Sequence, residues 1–200
     1  MQAVNGALRK VPAWPLYPLA AIPPALLFWL ALQGRLGADP VEVMEHRMGL
    51  WGLWALLAVL AVSPLRRFAN LNLLKFRRAL GLIGFFYIVL HMLLWILDVQ
   101  IPAELWADVV KRPYITMGMA ALVLMLPLAL TSNDWSVRRL GPRWRSLHRA
   151  TYAAVLLGAV HFALLTKTWQ LEPILYVLAT IALLAARKLP KRRGLVAARA

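Results

Sequence analysis

The chain has 200 residues and a net charge of +15, and it is 62% hydrophobic but only 16% charged. About a quarter of the residues of an ordinary soluble domain are charged, so this chain has too few polar side chains to cover a soluble fold. We therefore predict a single all-α integral membrane domain over residues 1–200. The absence of cysteine excludes disulfides, thiolate metal sites and covalent c-type heme attachment.

Six apolar segments approach the length of about 20 residues that a membrane-spanning helix needs. In chain order they cover residues 11–32, 48–65, 79–97, 113–131, 149–166 and 171–187. The first contains five prolines, which predict a kink or a late helix start. The second is expected to end near Pro64, and the fourth to begin at Pro113, because proline is favoured in the first turn of a helix.

The distribution of basic residues predicts the orientation of these segments. The N-terminus, residues 63–78, residues 131–149 and the C-terminus hold 18 of the 23 basic residues and a single acid. The other three connections hold five basic residues and seven acids. By the positive-inside rule this alternation predicts a six-helix bundle with both termini in the cytoplasm and a basic cytoplasmic tail at 188–200. The charge then indicates topology and contact with the lipid bilayer, and no nucleic-acid partner is expected.

Two histidines fall at matched depth in segments that run in the same direction. His91 and His161 each lie about twelve residues into their segment, which places both roughly 18 Å from the cytoplasmic end. Two such imidazoles can face each other across a flat ligand, as in bis-histidine ligation of a b-type heme. We therefore predict that His91 and His161 are metal ligands to a heme iron. The alternative is that each histidine only hydrogen-bonds to a neighbouring helix.

Residues around these histidines suit a pocket for a planar macrocycle. Gly158 lies three residues before His161, and Gly84 lies two turns before His91, so both are expected to leave room close to a helix axis. Tyr87 and Trp95, four residues on either side of His91, are expected to form pocket walls.

The role of His148, at the cytoplasmic end of the fifth segment, is open. On a straight helix it would point about 140° away from His161, and the third segment has no histidine at the matching inner depth. That depth holds Arg77 and Arg78 instead. His148 could contact a heme propionate or a quinone, act as an unpaired heme ligand, or be a solvated interfacial histidine.

Arg77, Arg78 and Arg145 cluster at this inner end of the third and fifth segments. Arginines bind flavin phosphates and heme propionates through charge-assisted hydrogen bonds, although the same residues could serve topology alone. His46, which precedes the second segment beside acidic residues, is expected to be interfacial and not a ligand.

Two rival functions come from other classes. A direct reductase of external ferric or cupric ions would use the same heme without a protein partner. A cofactor-free scaffold or transporter would use the histidines as hydrogen-bonding groups only. Apart from Glu172 at the start of the sixth segment, the segments contain no Asp or Glu, which disfavours a proton-coupled transporter.

Four stretches carry a family resemblance: "GRLGADPVE" (34–42), "RRALGLIGFFYIVLH" (77–91), "RPYITMGMAALVLMLPLALTS" (112–132) and "LGPRWRSLHRATYAAVLLGAVHF" (140–162). They resemble the MsrQ family, heme-binding membrane subunits of a bacterial periplasmic methionine-sulfoxide reductase system within the ferric-reductase-like transmembrane superfamily. The resemblance covers about residues 30–186.

This resemblance implies an electron-transfer subunit in the bacterial inner membrane, built as one ferric-reductase-like heme domain. Electrons would come from the quinol pool or a cytoplasmic flavin reductase and pass to a periplasmic molybdenum-cofactor reductase, MsrP, that repairs oxidised proteins. His91, His148 and His161 match the histidines that the family uses for heme b. The family also implies an FMN, which we assign to no residue here.

Overall fold

The computed structural model describes residues 1–99, 101–165 and 170–189, and in these ranges it is all-helical, as predicted. In chain order the helices are α1 Gln2–Lys10, α2 Leu16–Leu32, α3 Pro40–Phe68, α4 Arg77–Val99, α5 Pro102–Lys111, α6 Pro113–Leu130, α7 Asp134–Leu140, α8 Pro142–Leu147, α9 Ala150–Leu165 and α10 Leu171–Ala186. A single 3₁₀ turn, Leu74–Phe76, leads into α4. Most of the predicted basic tail, residues 190–200, lies outside the described residues.

Four helical units of the described chain are long and apolar enough to cross a bilayer: α3, the 3₁₀ turn with α4, α6, and α8 with α9. The apolar helices α2 and α10 have 17 and 16 residues, or about 25 Å at 1.5 Å per residue. That is below the roughly 30 Å of a typical hydrocarbon core. The chain is therefore a multi-pass membrane protein, and the count of six spans stays a prediction.

Helix starts follow proline and capping residues. The late start of the first segment is confirmed, because α2 begins at Leu16, and α6 begins at Pro113 as expected. The second segment, however, starts earlier than residue 48. Asp39 caps α3 by accepting a hydrogen bond from the Glu42 backbone N–H (3.0 Å), and Pro40 occupies the first turn. The acidic stretch before residue 48 is thus the first two turns of a helix.

The expected helix end near Pro64 is wrong, because α3 continues to Phe68. A proline inside a helix cannot donate to the carbonyl four residues earlier, which here is that of Leu60. The Arg187 guanidinium takes that place: its Nη2 donates to the Leu60 carbonyl at 2.7 Å and to the Val59 carbonyl at 3.2 Å. A side chain from the end of α10 therefore lets α3 pass through a proline.

The core forms where two antiparallel helix pairs meet. Helix α3 packs along α4, α6 packs along α9, and α10 covers α9 and α3. Where the pairs meet, the main buried cluster is Leu53, Leu56, Leu60, Met125, Ala154, Val155 and Ala159. This arrangement places His91 on one pair and His161 on the other, facing a shared interior.

The role of Arg187 can be tested with a double-mutant cycle. Arg187→Leu should lower the free energy of unfolding by about 1–3 kcal/mol, because it leaves a buried carbonyl unpaired. Adding Pro64→Ala should recover part of that loss, since an alanine has a backbone N–H that can donate to the Leu60 carbonyl. Lys188→Leu, the neighbouring basic residue, is the control. The cycle also needs Pro64→Ala alone. Thermal unfolding in detergent measures these three variants and the Lys188→Leu control, and strictly additive effects would contradict the pairing.

Candidate functional site

The structure brings His91 and His161 together. Their ring centroids are 6.0 Å apart and their planes are inclined by 76°. His91 comes from the second half of α4 and His161 from the last turns of α9, so the matched depth inferred from the sequence is present in the fold.

Each imidazole is held by one hydrogen bond to a backbone carbonyl on the helix paired with its own. His91 Nδ1 lies 2.9 Å from the Glu45 carbonyl oxygen on α3. His161 Nδ1 lies 2.6 Å from the Tyr114 carbonyl oxygen on α6. A carbonyl only accepts, so Nδ1 must be the donor in both rings. The two bonds therefore fix the same tautomer and leave a free lone pair on both Nε2 atoms.

Both rings line a cavity of about 400 Å³, which we call the bis-histidine cavity. Its walls come from α3, α4, α6 and α9, and they are mostly apolar, as in typical cofactor pockets. Gly158 lines it as predicted and has open space in front of its Cα. Trp95 also lines it, on the same helix as His91.

The positions of His91, His161 and Gly158 fit a heme or a similar metal-containing macrocycle. Bonds between a metal and an imidazole nitrogen are about 2.0–2.1 Å long, so two opposed imidazoles on one ion have centroids about 6 Å apart. The observed separation is 6.0 Å. The fixed Nδ1–H tautomer presents Nε2, the nitrogen that a heme iron needs, and Gly158 leaves the adjoining space clear. The arrangement can hold a low-spin, six-coordinate heme iron.

Two predicted neighbours serve helix packing and do not line this cavity. The Tyr87 ring is buried against Met48 and Ile83, and its hydroxyl donates to the Ala20 carbonyl on α2 at 2.8 Å. A Cβ at Gly84 would lie 3.0 Å from the Leu56 side chain, so this glycine lets α3 and α4 approach closely. Both residues share the His91 face of α4, as the spacing predicts, but packing against α3 and α2 keeps them from the cavity.

The rim of the bis-histidine cavity is acidic. Glu42, Glu45, Asp98 and Asp108 line it, and Arg112 pairs with Asp108 at 2.9 Å. His46 also lies here, exposed, with its ring centroid 5.6 Å from that of Phe162, which agrees with an interfacial position.

A second cavity, of about 890 Å³, lies at the other end of the four helices; we call it the arginine cavity. Its cationic lining consists of Arg77, Arg78, Arg145, Arg149 and Arg187, and no acid lines it in the described part of the chain. The three arginines singled out from the sequence therefore face one space. The two cavities share a wall of Leu56, Met125 and Ala154.

The arginines of this cavity differ in whether their guanidinium groups already have hydrogen-bond partners. Arg78 pairs with Asp134 on α7 at 2.7 Å and so holds the pKa of that exposed carboxyl below its usual range. Arg77 donates from one terminal nitrogen to the Ser63 hydroxyl. The Arg77 Nε is buried and has no hydrogen-bond partner among the described residues. A buried, unpaired donor of this kind is costly unless a ligand satisfies it.

His148 lines the arginine cavity and lies between two helices. Helix α8 ends at Leu147 and α9 begins at Ala150, so the straight-helix angle between His148 and His161 does not apply. The His148 ring stacks on Trp144 at 3.8 Å, and its Nε2 lies 3.0 Å from the Thr131 hydroxyl. The Trp144 indole donates to the Thr131 carbonyl at 2.9 Å. His148 is thus held in a fixed orientation at the cavity wall.

Sequence reasoning missed the groups that orient the two buried imidazoles. They are backbone carbonyls, of Glu45 and Tyr114, and a carbonyl carries no residue signature. The Tyr114 ring also approaches His161, with a centroid separation of 5.9 Å. One signal was available: a glycine follows each carbonyl by four residues, at Gly49 and Gly118.

Comparison with known proteins agrees with this architecture. A family model described as ferric reductase like transmembrane component matches residues 48–159, which include His91 and His148. Relatives from Brucella anthropi, Brucella ovis and Brucella canis are each 45% identical over 176 residues, or 87% of this chain and 80% of theirs. Each is named protein-methionine-sulfoxide reductase heme-binding subunit MsrQ. By identity and coverage, the chain belongs to the MsrQ family of ferric-reductase-like membrane proteins.

Proposed function

We propose that the chain is a heme b electron-transfer subunit in which His91 and His161 are the axial ligands. The observation that carries the proposal is the 6.0 Å separation of two imidazoles with the same tautomer, on two helix pairs. The relatives' name supports the cofactor, since those proteins are called heme-binding subunits. The heme supplies one-electron chemistry, and the protein fixes its position, ligation and surroundings.

The same proposal assigns a direction to the electrons. They would enter from the quinol pool or a cytoplasmic flavin reductase and leave to the periplasmic molybdenum-cofactor reductase MsrP, in the bacterial inner membrane. The support is that the relatives are named as subunits of a protein-methionine-sulfoxide reductase, which requires a catalytic partner. The acidic rim of the bis-histidine cavity would then face the periplasm and the arginine cavity the cytoplasm.

The arginine cavity supports an intermediate site on this route. Entry from the cytoplasmic side would otherwise cross roughly 18 Å to the buried histidines. A bound anionic cofactor, such as a flavin phosphate or a heme propionate group, would satisfy the buried Arg77 Nε and the surrounding cations. His148 would contact that cofactor from the cavity wall. The FMN implied by the family resemblance is one anionic cofactor that this cavity could bind, and we propose no specific residue contacts for it.

Both rivals remain testable against this proposal. A cofactor-free scaffold would use the same two hydrogen bonds to join α4 to α3 and α9 to α6. A direct metal-ion reductase would use the carboxylates of the acidic rim to attract cations. The visible spectrum of the reduced protein distinguishes a cofactor-free scaffold from a heme protein. Reoxidation of the heme by MsrP, and not by a ferric chelate, distinguishes the electron-transfer subunit from the metal-ion reductase.

Replacing either ligand should remove the heme. His91→Ala and His161→Ala should each lower heme content more than tenfold, because a six-coordinate iron loses one of its two protein ligands. His46→Ala, at the rim of the same cavity, should retain it. The reduced visible spectrum of each purified variant is the measurement. Full Soret and α-bands in both Ala variants would rule out the assignment.

The orientation predicts the behaviour of reporter fusions. With both termini and the connections 63–78 and 131–149 in the cytoplasm, a C-terminal GFP fusion should fluoresce and a C-terminal alkaline phosphatase fusion should be inactive. A phosphatase inserted in the connection between α2 and α3 should be active. The opposite pattern would reverse the cavities and the electron direction.

Variants of the arginine cavity should separate electron entry from heme binding. Arg77→Gln with Arg78→Gln, and separately His148→Ala, should slow heme reduction by a cytoplasmic flavin donor about tenfold or more, equivalent to about 1.4 kcal/mol. Reduction by a menaquinol analogue should suffer less if quinol reaches the heme laterally.

The control is Arg138→Gln with Arg139→Gln, which removes the same charge from α7, outside the cavity. Stopped-flow reduction in inside-out vesicles gives both rates. Wild-type rates in all variants would leave these arginines with a topological role alone.

A further inference from the structure

Two glycines lie against the two candidate ligand rings in the same way. Gly49 follows Glu45 by four residues in α3, and Gly118 follows Tyr114 by four residues in α6. In a helix, the carbonyl that each imidazole contacts also accepts the N–H of the residue four positions later. Each of these carbonyls therefore accepts two hydrogen bonds, one on each lone pair: one from the imidazole and one from the glycine N–H.

A side chain at Gly49 or Gly118 would collide with the imidazole ring beside it. A Cβ at Gly49 would lie 3.1 Å from His91 Nδ1 and 3.3 Å from its Cε1. A Cβ at Gly118 would lie 2.9 Å from His161 Nδ1 and 3.0 Å from its Cε1. These distances are shorter than ordinary van der Waals contact. In both cases the nearest atom is the nitrogen that makes the hydrogen bond.

Other glycines of the bundle have different neighbours. A Cβ at Gly52, one turn after Gly49 on α3, would meet the end of the Ile88 side chain at 2.6 Å. Gly52 therefore serves the packing of α3 on α4, whereas the three atoms nearest to a Cβ at Gly49 or at Gly118 all belong to an imidazole ring. The chain offers a packing glycine next to a ring-contacting glycine on one helix, which makes a matched comparison available.

We propose that Gly49 and Gly118 are positioning residues for the two heme ligands. Each lets an imidazole lie flat against a neighbouring helix and donate its Nδ1–H to the carbonyl one turn earlier, which directs Nε2 to the iron. The inference rests on the proposed function, since it concerns the ligation of that heme. It adds two residues on α3 and α6 to a site whose ligands come from α4 and α9.

The hydrogen bonds have consequences for the iron as well as for the rings. A ligand imidazole that donates its second N–H becomes more basic, and loss of such a partner typically costs 10–100-fold in metal affinity. A more basic ligand favours the ferric state. A Cβ that pushes the ring off its carbonyl should therefore weaken heme retention and raise the midpoint potential.

The first test compares Gly49→Ala, Gly118→Ala and Gly52→Ala in the purified holoprotein. The first two should release heme to an acceptor protein 10–100-fold more readily, shift the midpoint potential upward and change the g values of the low-spin ferric EPR signal. Gly52→Ala should lower thermal stability and leave the potential and g values at wild-type values. Wild-type potentials and g values in both ring-contacting variants would overturn the inference and leave the heme proposal intact.

The second test needs no added side chain on α3. In His91→Gly, free imidazole should restore the low-spin spectrum by taking the place of the ring and donating to the Glu45 carbonyl. 1-Methylimidazole carries a methyl group in place of that N–H. Its concentration at half-saturation should therefore be about tenfold higher than that of imidazole. Equal rescue by both would overturn the role of the carbonyl and of Gly49. If the wild-type protein takes up no heme at all, the proposed function fails first and this inference fails with it.

Discussion

His91 and His161 each donate one hydrogen bond to a backbone carbonyl on the helix packed against their own, and the site depends on these two bonds. Water is scarce in the interior of a membrane protein, so a polar ring there must find its partner in the protein. The carbonyls of α3 and α6 supply that partner. The bonds also join each helix pair at the depth of the histidines, and they fix which nitrogen remains for a metal. One interaction thus serves packing and ligation.

Arginine has two roles in this chain, and both follow from its geometry. Its excess on one side of the segments indicates topology, but individual guanidinium groups also satisfy groups that the helices leave open. Arg187 binds the Leu60 carbonyl released by Pro64, and Arg78 binds Asp134. Arg77 differs, since its Nε is buried without a partner among the described residues. That difference is why we propose, and do not observe, an anionic ligand in the arginine cavity.

Small residues have distinct uses along the same helices. Gly52 and Gly84 bring α3 and α4 into close contact, as small residues commonly do between membrane helices. Gly158 leaves open space in the bis-histidine cavity. Gly49 and Gly118 admit an imidazole ring. These uses look identical in a sequence, because a glycine records only the absence of a side chain and not what fills the space.

The sequence by itself determined the helical membrane class, the six apolar segments and the pairing of His91 with His161. These follow from hydropathy and from rise per residue, which are local quantities. It could not place the end of α3, because continuation through Pro64 depends on Arg187, more than a hundred residues away. It also put Tyr87 and Gly84 at the site, since spacing along α4 gives depth and face but not which neighbouring helix covers a residue.

Only the tertiary structure decided which backbone carbonyls hold the two rings, and that five arginines line one cavity beside His148. A hydrogen bond from His161 to the Tyr114 carbonyl joins residues 47 positions apart. Contacts of this kind depend on how α6 lies against α9, and helix packing is set by many side chains at once. No single residue type at one position carries that information.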